Sequence, residues 1–110
     1  LSANERSDPD KVPLPPYYPD TPVVRRGMAR YYDCVAAMDK IVAGLLKELD
    51  DAGLAEDTVV FFYSDHGSGM PRHKRCLQDS GTRVPLMIRV PKKWQHLTRT
   101  RPGEVSTQLV

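Results

Sequence analysis

This 110-residue sequence has almost no charge bias. Its formal net charge is +2 at pH 7, too small to argue for a nucleic-acid partner or an anionic membrane surface. No apolar run approaches the roughly 20 residues that cross a bilayer. Cysteine is scarce. Cys34 and Cys76 stand far apart, outside any Cys-x-x-Cys spacing, so neither a metal ribbon nor a redox pair is indicated. They are expected to be buried free thiols, with a disulfide left open. The opening residues, Leu1 to Arg6, are polar rather than leader-like, and no compartment can be read from them. What remains is ordinary globular composition, 40% hydrophobic and 27% charged. The length allows one small domain at most. The sequence starts at Leu1 and ends on Leu109-Val110 with no stop signal before them, so a piece of a longer protein is expected.

Residues 1–21 are polar and proline-rich, with Val12-Pro-Leu-Pro-Pro-Tyr-Tyr-Pro19 at their centre. Prolines at this density remove donors and hold the backbone extended. The segment reads as an extended arm lying on a larger domain, and Pro13 with Pro16 also matches a short P-x-x-P partner motif. A helix signal follows, with Thr21 as cap and Pro22 at the first helical position. Val24, Met28, Tyr31, Val35, Met38, Val42, Leu45 and Leu49 then step by three or four residues, one sustained apolar stripe. Gly53 is a good stop. The spacing predicts one helix over Pro22 to Ala52, roughly 45 Å long at ~1.5 Å per residue. Asp33, Asp39 and Lys40 read as an ion-paired or solvated face. So long a stripe cannot be buried by the little sheet that follows, so the rest of a parent domain is expected to cover it.

Thr58 to Ser64 is almost entirely apolar, β-branched or aromatic. That composition predicts a strand buried on both faces, as in a helix-covered parallel sheet. The helix and this strand would be half of a βαβ unit whose first strand precedes residue 1. A polar, basic loop is predicted over Ser68 to Thr82. A second strand follows over Arg83 to Val90, its Pro85 suiting an edge or a strand start. Gln95 to Gly103 reads as a basic loop, and Glu104 to Val110 as the first turns of another helix.

The apolar run stops at Asp65-His66-Gly67. Ligands of open α/β sheets bind at the carboxyl ends of strands. A carboxylate and an imidazole there can hold a metal or a polar substrate, although Asp and Gly also mark ordinary turns. Asp65 supplies oxygen, which suits calcium, magnesium or manganese. His66 can ligate or donate to an anion. Arg72, His73, Lys74 and Arg75 follow in one loop. They form either an anion pocket suited to sulfate or phosphate oxygens or a solvated basic stretch.

Taken together, Tyr31-Tyr-Asp-Cys-Val-Ala-Ala-Met-Asp39, the Gly53-Leu54 turn, Ser64-Asp-His-Gly67, Lys74 and Asp79-Ser-Gly-Thr-Arg-Val-Pro85 resemble the sulfatases of the alkaline phosphatase superfamily. The resemblance runs from about residue 22 to residue 91. The combination of Asp-His-Gly after a strand with a Lys nine positions before Arg83 is its most specific part. It implies an α/β class, a fragment of an alkaline-phosphatase-like α/β/α sandwich with one long helix and two core strands. Residues 22–110 would be a partial catalytic domain truncated at both ends. Asp65 would ligate a divalent cation, usually calcium. His66 would be a second metal ligand or a catalytic neighbour of the metal and ester. Lys74 would be catalytic and substrate-binding, holding the sulfate group, with His73 a further substrate-binding candidate. Arg83 and Asp79, the latter in place of the more usual Glu, would brace the loop. The substrate would be a sulfate ester. The formylglycine nucleophile and an aspartate pair of the metal site would lie upstream, because Cys34 and Cys76 lack the Cys-x-Pro-Ser-Arg context. The isolated segment is expected to be inactive. A phosphodiesterase or phosphomutase of the same superfamily and a non-catalytic anion-binding fragment are the alternatives.

Overall fold

The computed structural model describes residues 1–99, 101 and 103. The chain divides into two compact units, Leu1–Asp51 and Ala52–Val110.

The first unit is the arm and helix α1, Pro22–Asp51. The Thr21 hydroxyl accepts from the Val24 amide at 3.3 Å, and Gly53 takes a left-handed φ of +68° just past the end. Both ends thus follow from residues that favour a cap and a stop. The arm is less extended than proline density implies. It holds a short 3₁₀ turn, Ala3–Glu5, and folds back on α1 through polar contacts. Asp33 accepts the Ser7 amide at 2.7 Å. Lys40 donates to Glu5 at 2.5 Å. Arg25 reaches the carbonyls of Pro9 and Asp10 and pairs with both oxygens of Asp20. The helix face that reads as ion-paired therefore binds the arm. Val12 from the arm, with Met28 and Ala29 of α1, is buried. Among the described residues the apolar stripe beyond them is only partly covered: Val35, Met38 and Leu45 are exposed, while Tyr31, Val42 and Leu49 are half-buried. Cys34 is exposed and Cys76 only half-buried, which corrects the expectation of two buried thiols; both cysteines are free.

The arm contacts carry a pH dependence of definite sign. The Lys40 ammonium, helped by the Ser2 amide, holds Glu5 down from its ordinary 4.5 to about 2. Asp33 is lowered by the Ser7 amide, and Asp20 by Arg25. A carboxylate whose folded pKa is depressed stabilises the folded form above its unfolded pKa and loses that contribution as pH falls through the folded value. The arm is expected to stay docked at neutral pH and to loosen between about pH 4.5 and pH 2. Amide exchange at Ser7 would report it, and protection unchanged at pH 2 would contradict it.

In the second unit a 3₁₀ turn, Ala55–Asp57, leads into β1, Val60–Tyr63. β1 pairs antiparallel with β2, Leu86–Arg89, in the register Val60↔Arg89 through Tyr63↔Leu86. This corrects the parallel-sheet expectation for the described strands. Their connection returns the chain directly instead of making a helical crossover. Burial on both faces is also corrected. Phe61 is 60% and Tyr63 69% exposed, and their partners Ile88 and Leu86 are exposed with them. The α/β class stands, with one long helix and two strands. Two stretches that read as loop are helical: α2, Asp79–Thr82, and a 3₁₀ run, Lys92–Leu97. The helix expected over Glu104 to Val110 lies outside the described residues. Among the described residues, no helix is long and apolar enough to cross a membrane.

Candidate active site at the end of β1

β1 stops where side chains begin to bond their own backbone. The Ser64 hydroxyl donates to the His66 carbonyl at 2.7 Å, a local bond that competes with the strand ladder. Asp65 projects into solvent, its side chain 82% exposed, and the His66 side chain is 35% exposed. The His66 Nδ1 lies 2.6 Å from the Gly67 carbonyl. A carbonyl only accepts, so Nδ1 carries the proton and the neutral ring keeps its lone pair on Nε2. That Nε2 is the atom facing the Asp65 Oδ2, 3.4 Å away.

The donor pair suits a cation. A carboxylate oxygen and an imidazole nitrogen 3.4 Å apart are both groups that ligate divalent cations. A ligating histidine usually donates its other ring N–H to a carbonyl or carboxylate, which fixes the tautomer, and the Gly67 carbonyl does this here. Among the described residues no group of three His, Cys, Asp or Glu side chains forms a fuller cage. Asp65 and His66 alone supply one oxygen and one nitrogen donor, fewer than the six to eight oxygens that surround a calcium ion.

The basic loop folds back onto the strand end. The Lys74 amide donates to the Ser68 carbonyl at 3.0 Å. The Ser68 hydroxyl lies 2.9 Å from His73 Nδ1 and accepts from the Met70 amide at 3.3 Å. On the other side the Ser80 hydroxyl donates to the Arg72 carbonyl at 2.5 Å, and the Cys76 amide to the His73 carbonyl at 3.0 Å. The strand end is tied to α2 by the Gly67 amide, which donates to the Gly81 carbonyl at 2.9 Å. Arg72 and Arg75 flank the His73-Lys74 pair with φ of 67° and 65°, a left-handed backbone that non-glycine residues adopt at a cost. The structure thus brings Asp65 and His66 together and ties the backbone of Lys74 and the ring of His73 to Ser68. The Arg83 amide donates to the Asp79 carbonyl at 2.7 Å and closes α2.

Sequence reading missed Ser68 and Ser80. A serine whose hydroxyl takes the amide two residues on is a known turn signature, and Ser68-Gly69-Met70 carries it. Ser80 bonds eight positions away, which no local pattern discloses.

The sulfatase family model matches residues 3–110. An ulvan-active sulfatase of Formosa agariphila is 46% identical over 83 residues, 76% of this chain and 14% of that protein. Human N-sulphoglucosamine sulphohydrolase is 40% identical over 90 residues, 79% of this chain and 18% of that protein. Mouse iduronate 2-sulfatase is 34% identical over 97 residues, 83% of this chain and 18% of that protein. The chain spans less than a fifth of each of these relatives. With a family model covering nearly its whole length, the chain belongs to the sulfatase family.

Proposed function

We propose that these residues contribute part of the active site of a sulfate-ester hydrolase, with Asp65 and His66 holding a divalent cation, calcium by preference, and Lys74 binding the sulfate group. The observation that carries the proposal is the juxtaposition at the end of β1. The Asp65–His66 donor pair is spaced at 3.4 Å, and the backbone of Lys74 is tied to Ser68, three positions past Asp65. The names of two relatives, an ulvan-active sulfatase and an N-sulphoglucosamine sulphohydrolase, support a sulfated sugar as the substrate class.

The bound cation would supply Lewis acidity toward the sulfate oxygens and lower the pKa of the nucleophile. Lys74 would neutralise charge growing on the departing ester oxygen. His73 would be a further donor to the sulfate. The nucleophile is proposed to be a formylglycine supplied from outside these residues. Cys34 is followed by Val-Ala-Ala and Cys76 by Leu-Gln-Asp, neither of which is the motif the resemblance calls for. The segment by itself would then be inactive.

The test is release of inorganic sulfate from sulfated monosaccharides by the protein carrying this segment, with peptide mapping for formylglycine. Release that a chelator stops and calcium restores is expected. Phosphate release in its place, or no hydrolysis with calcium saturating, would sink the proposal. Asp65→Asn is expected to weaken calcium binding by calorimetry at least 10–100-fold, the order that losing even an outer partner of a metal ligand costs. Unchanged affinity would remove Asp65 from the site.

A further inference from the structure

We propose that Ser68 is the positioning residue of this site, holding Lys74 in register with the Asp65–His66 pair; the inference rests on the sulfatase reading given above. Ser68 engages both neighbours in the critical dipeptide. Its carbonyl accepts the Lys74 amide at 3.0 Å, and its hydroxyl meets His73 Nδ1 at 2.9 Å. A hydroxyl has one proton and two lone pairs. The Met70 amide donates into it at 3.3 Å, which leaves one proton and one lone pair, so the hydroxyl can hold Nδ1 of His73 in either tautomer of the ring. The Ser68 side chain thus anchors the loop at Met70 and His73, and its backbone carbonyl anchors the next residue, Lys74.

The backbone around it carries an independent sign of the same role. Arg72 and Arg75, on either side of His73-Lys74, hold φ of 67° and 65°. Such conformations persist only where the surroundings over-determine them, and they gather at sites whose geometry matters. Here Ser68 fixes the middle of the stretch, and the Ser80 hydroxyl grips the Arg72 carbonyl at 2.5 Å. Lysine is a compact charge on a flexible four-carbon stem. It can be preorganised toward a sulfate only if its backbone is held, and a displacement of about 1 Å can cost on the order of 10²-fold in rate. Ser68 lies three positions past Asp65 in the chain, so the same residue ties the cationic stretch to the strand end bearing the carboxylate. It touches no substrate in this role and acts through Lys74 and His73.

The experiment is a double-mutant cycle in the full-length protein, read as kcat and KM for sulfate release. Ser68→Ala keeps the carbonyl but removes the hydroxyl's bonds to His73 and Met70, freeing the loop beside Lys74; it is expected to lower kcat/KM about tenfold, the scale of one lost hydrogen bond in a preorganised site, with Ser68→Thr restoring most of it. In a Lys74→Ala background, Ser68→Ala should cost little more, because the positioned group is gone. Equal losses in both backgrounds would show a structural role only and overturn the proposal, as would wild-type kinetics in Ser68→Ala. Should Ser68→Ala fail to fold, Ser68→Cys keeps the volume with a weak donor; an intermediate loss supports the proposal and wild-type kinetics overturns it. Failure of the underlying reading looks different: no sulfate release by the unsubstituted protein, or near-normal turnover in Lys74→Ala with Ser68 intact.

Discussion

Replacing Lys74 with alanine is expected to lower turnover of a sulfate ester roughly 10²–10³-fold, the usual cost of losing one preorganised donor to developing charge, while the melting temperature holds. The two halves of that expectation have separate physical grounds. The Lys74 side chain is exposed, so truncation removes little buried surface, and exposed substitutions of this kind usually fall within about 0.5 kcal/mol. The bond from its amide to Ser68 is made by backbone and survives in alanine. What alanine removes is the ammonium. If that charge acts on the departing oxygen, its interaction is stronger in the transition state than in the ground state, and the loss falls on kcat more than on KM. The defect should widen as the leaving alcohol becomes a poorer leaving group, because more negative charge then has to be held. Lys74→Arg should not rescue fully, since a planar guanidinium replaces a compact point charge. Steady-state kinetics over a series of aryl sulfates checks all of this. Near-normal turnover, or a defect independent of the leaving group, would mean that Lys74 does not face the ester oxygen.

The parts of this chain that were legible in its sequence are those set by local chemistry. Thr21, Pro22 and Gly53 bound α1 because capping, a preset φ and a left-handed stop are local properties of those residues. The end of β1 at Asp65-His66 was legible for a similar reason, since short polar side chains bond their own backbone and end a strand. Pairing direction was not legible. Which strand lies beside β1 depends on how residues 64–85 return, and an apolar run looks the same in either partnership. The burial expected of β1 assumed two covered faces, whereas the chain itself leaves Phe61 and Tyr63 open. The family's alkaline-phosphatase-like α/β fold accounts for a long helix and two strands. The tie between Ser68 and His73 depends on a loop closing on itself, so only Asp65, His66 and the basic run Arg72 to Arg75 stood out by residue type. Cys34 was misjudged because buried thiols are the common case, and it sits on the uncovered part of α1.

The tightest point of that closure yields the second large effect, in Gly81→Ala. A Cβ built on Gly81 would stand 2.0 Å from the Cys76 carbonyl oxygen and 2.4 Å from that of His73. Both obstacles are backbone, so no side chain can swing aside. The His73–Cys76 stretch or α2 must move. Gly81 has no left-handed φ, so the penalty is steric rather than conformational. Overpacking of this kind typically costs about 1–3 kcal/mol, occasionally more. The shift would fall on the segment that carries Lys74, so activity should drop beyond what instability explains, by as much as ~10²-fold if the backbone moves by about 1 Å. Gly69→Ala is the control in the same loop. Nothing lies within 4 Å of its added Cβ, and stability should change little or rise by roughly 0.4–1 kcal/mol from reduced freedom of the unfolded chain. Thermal denaturation and kcat/KM on both variants separate the cases. Wild-type stability and kinetics in Gly81→Ala would mean that the loop does not pack against α2 as described, and the positioning assigned to Ser68 would lose its support on that side.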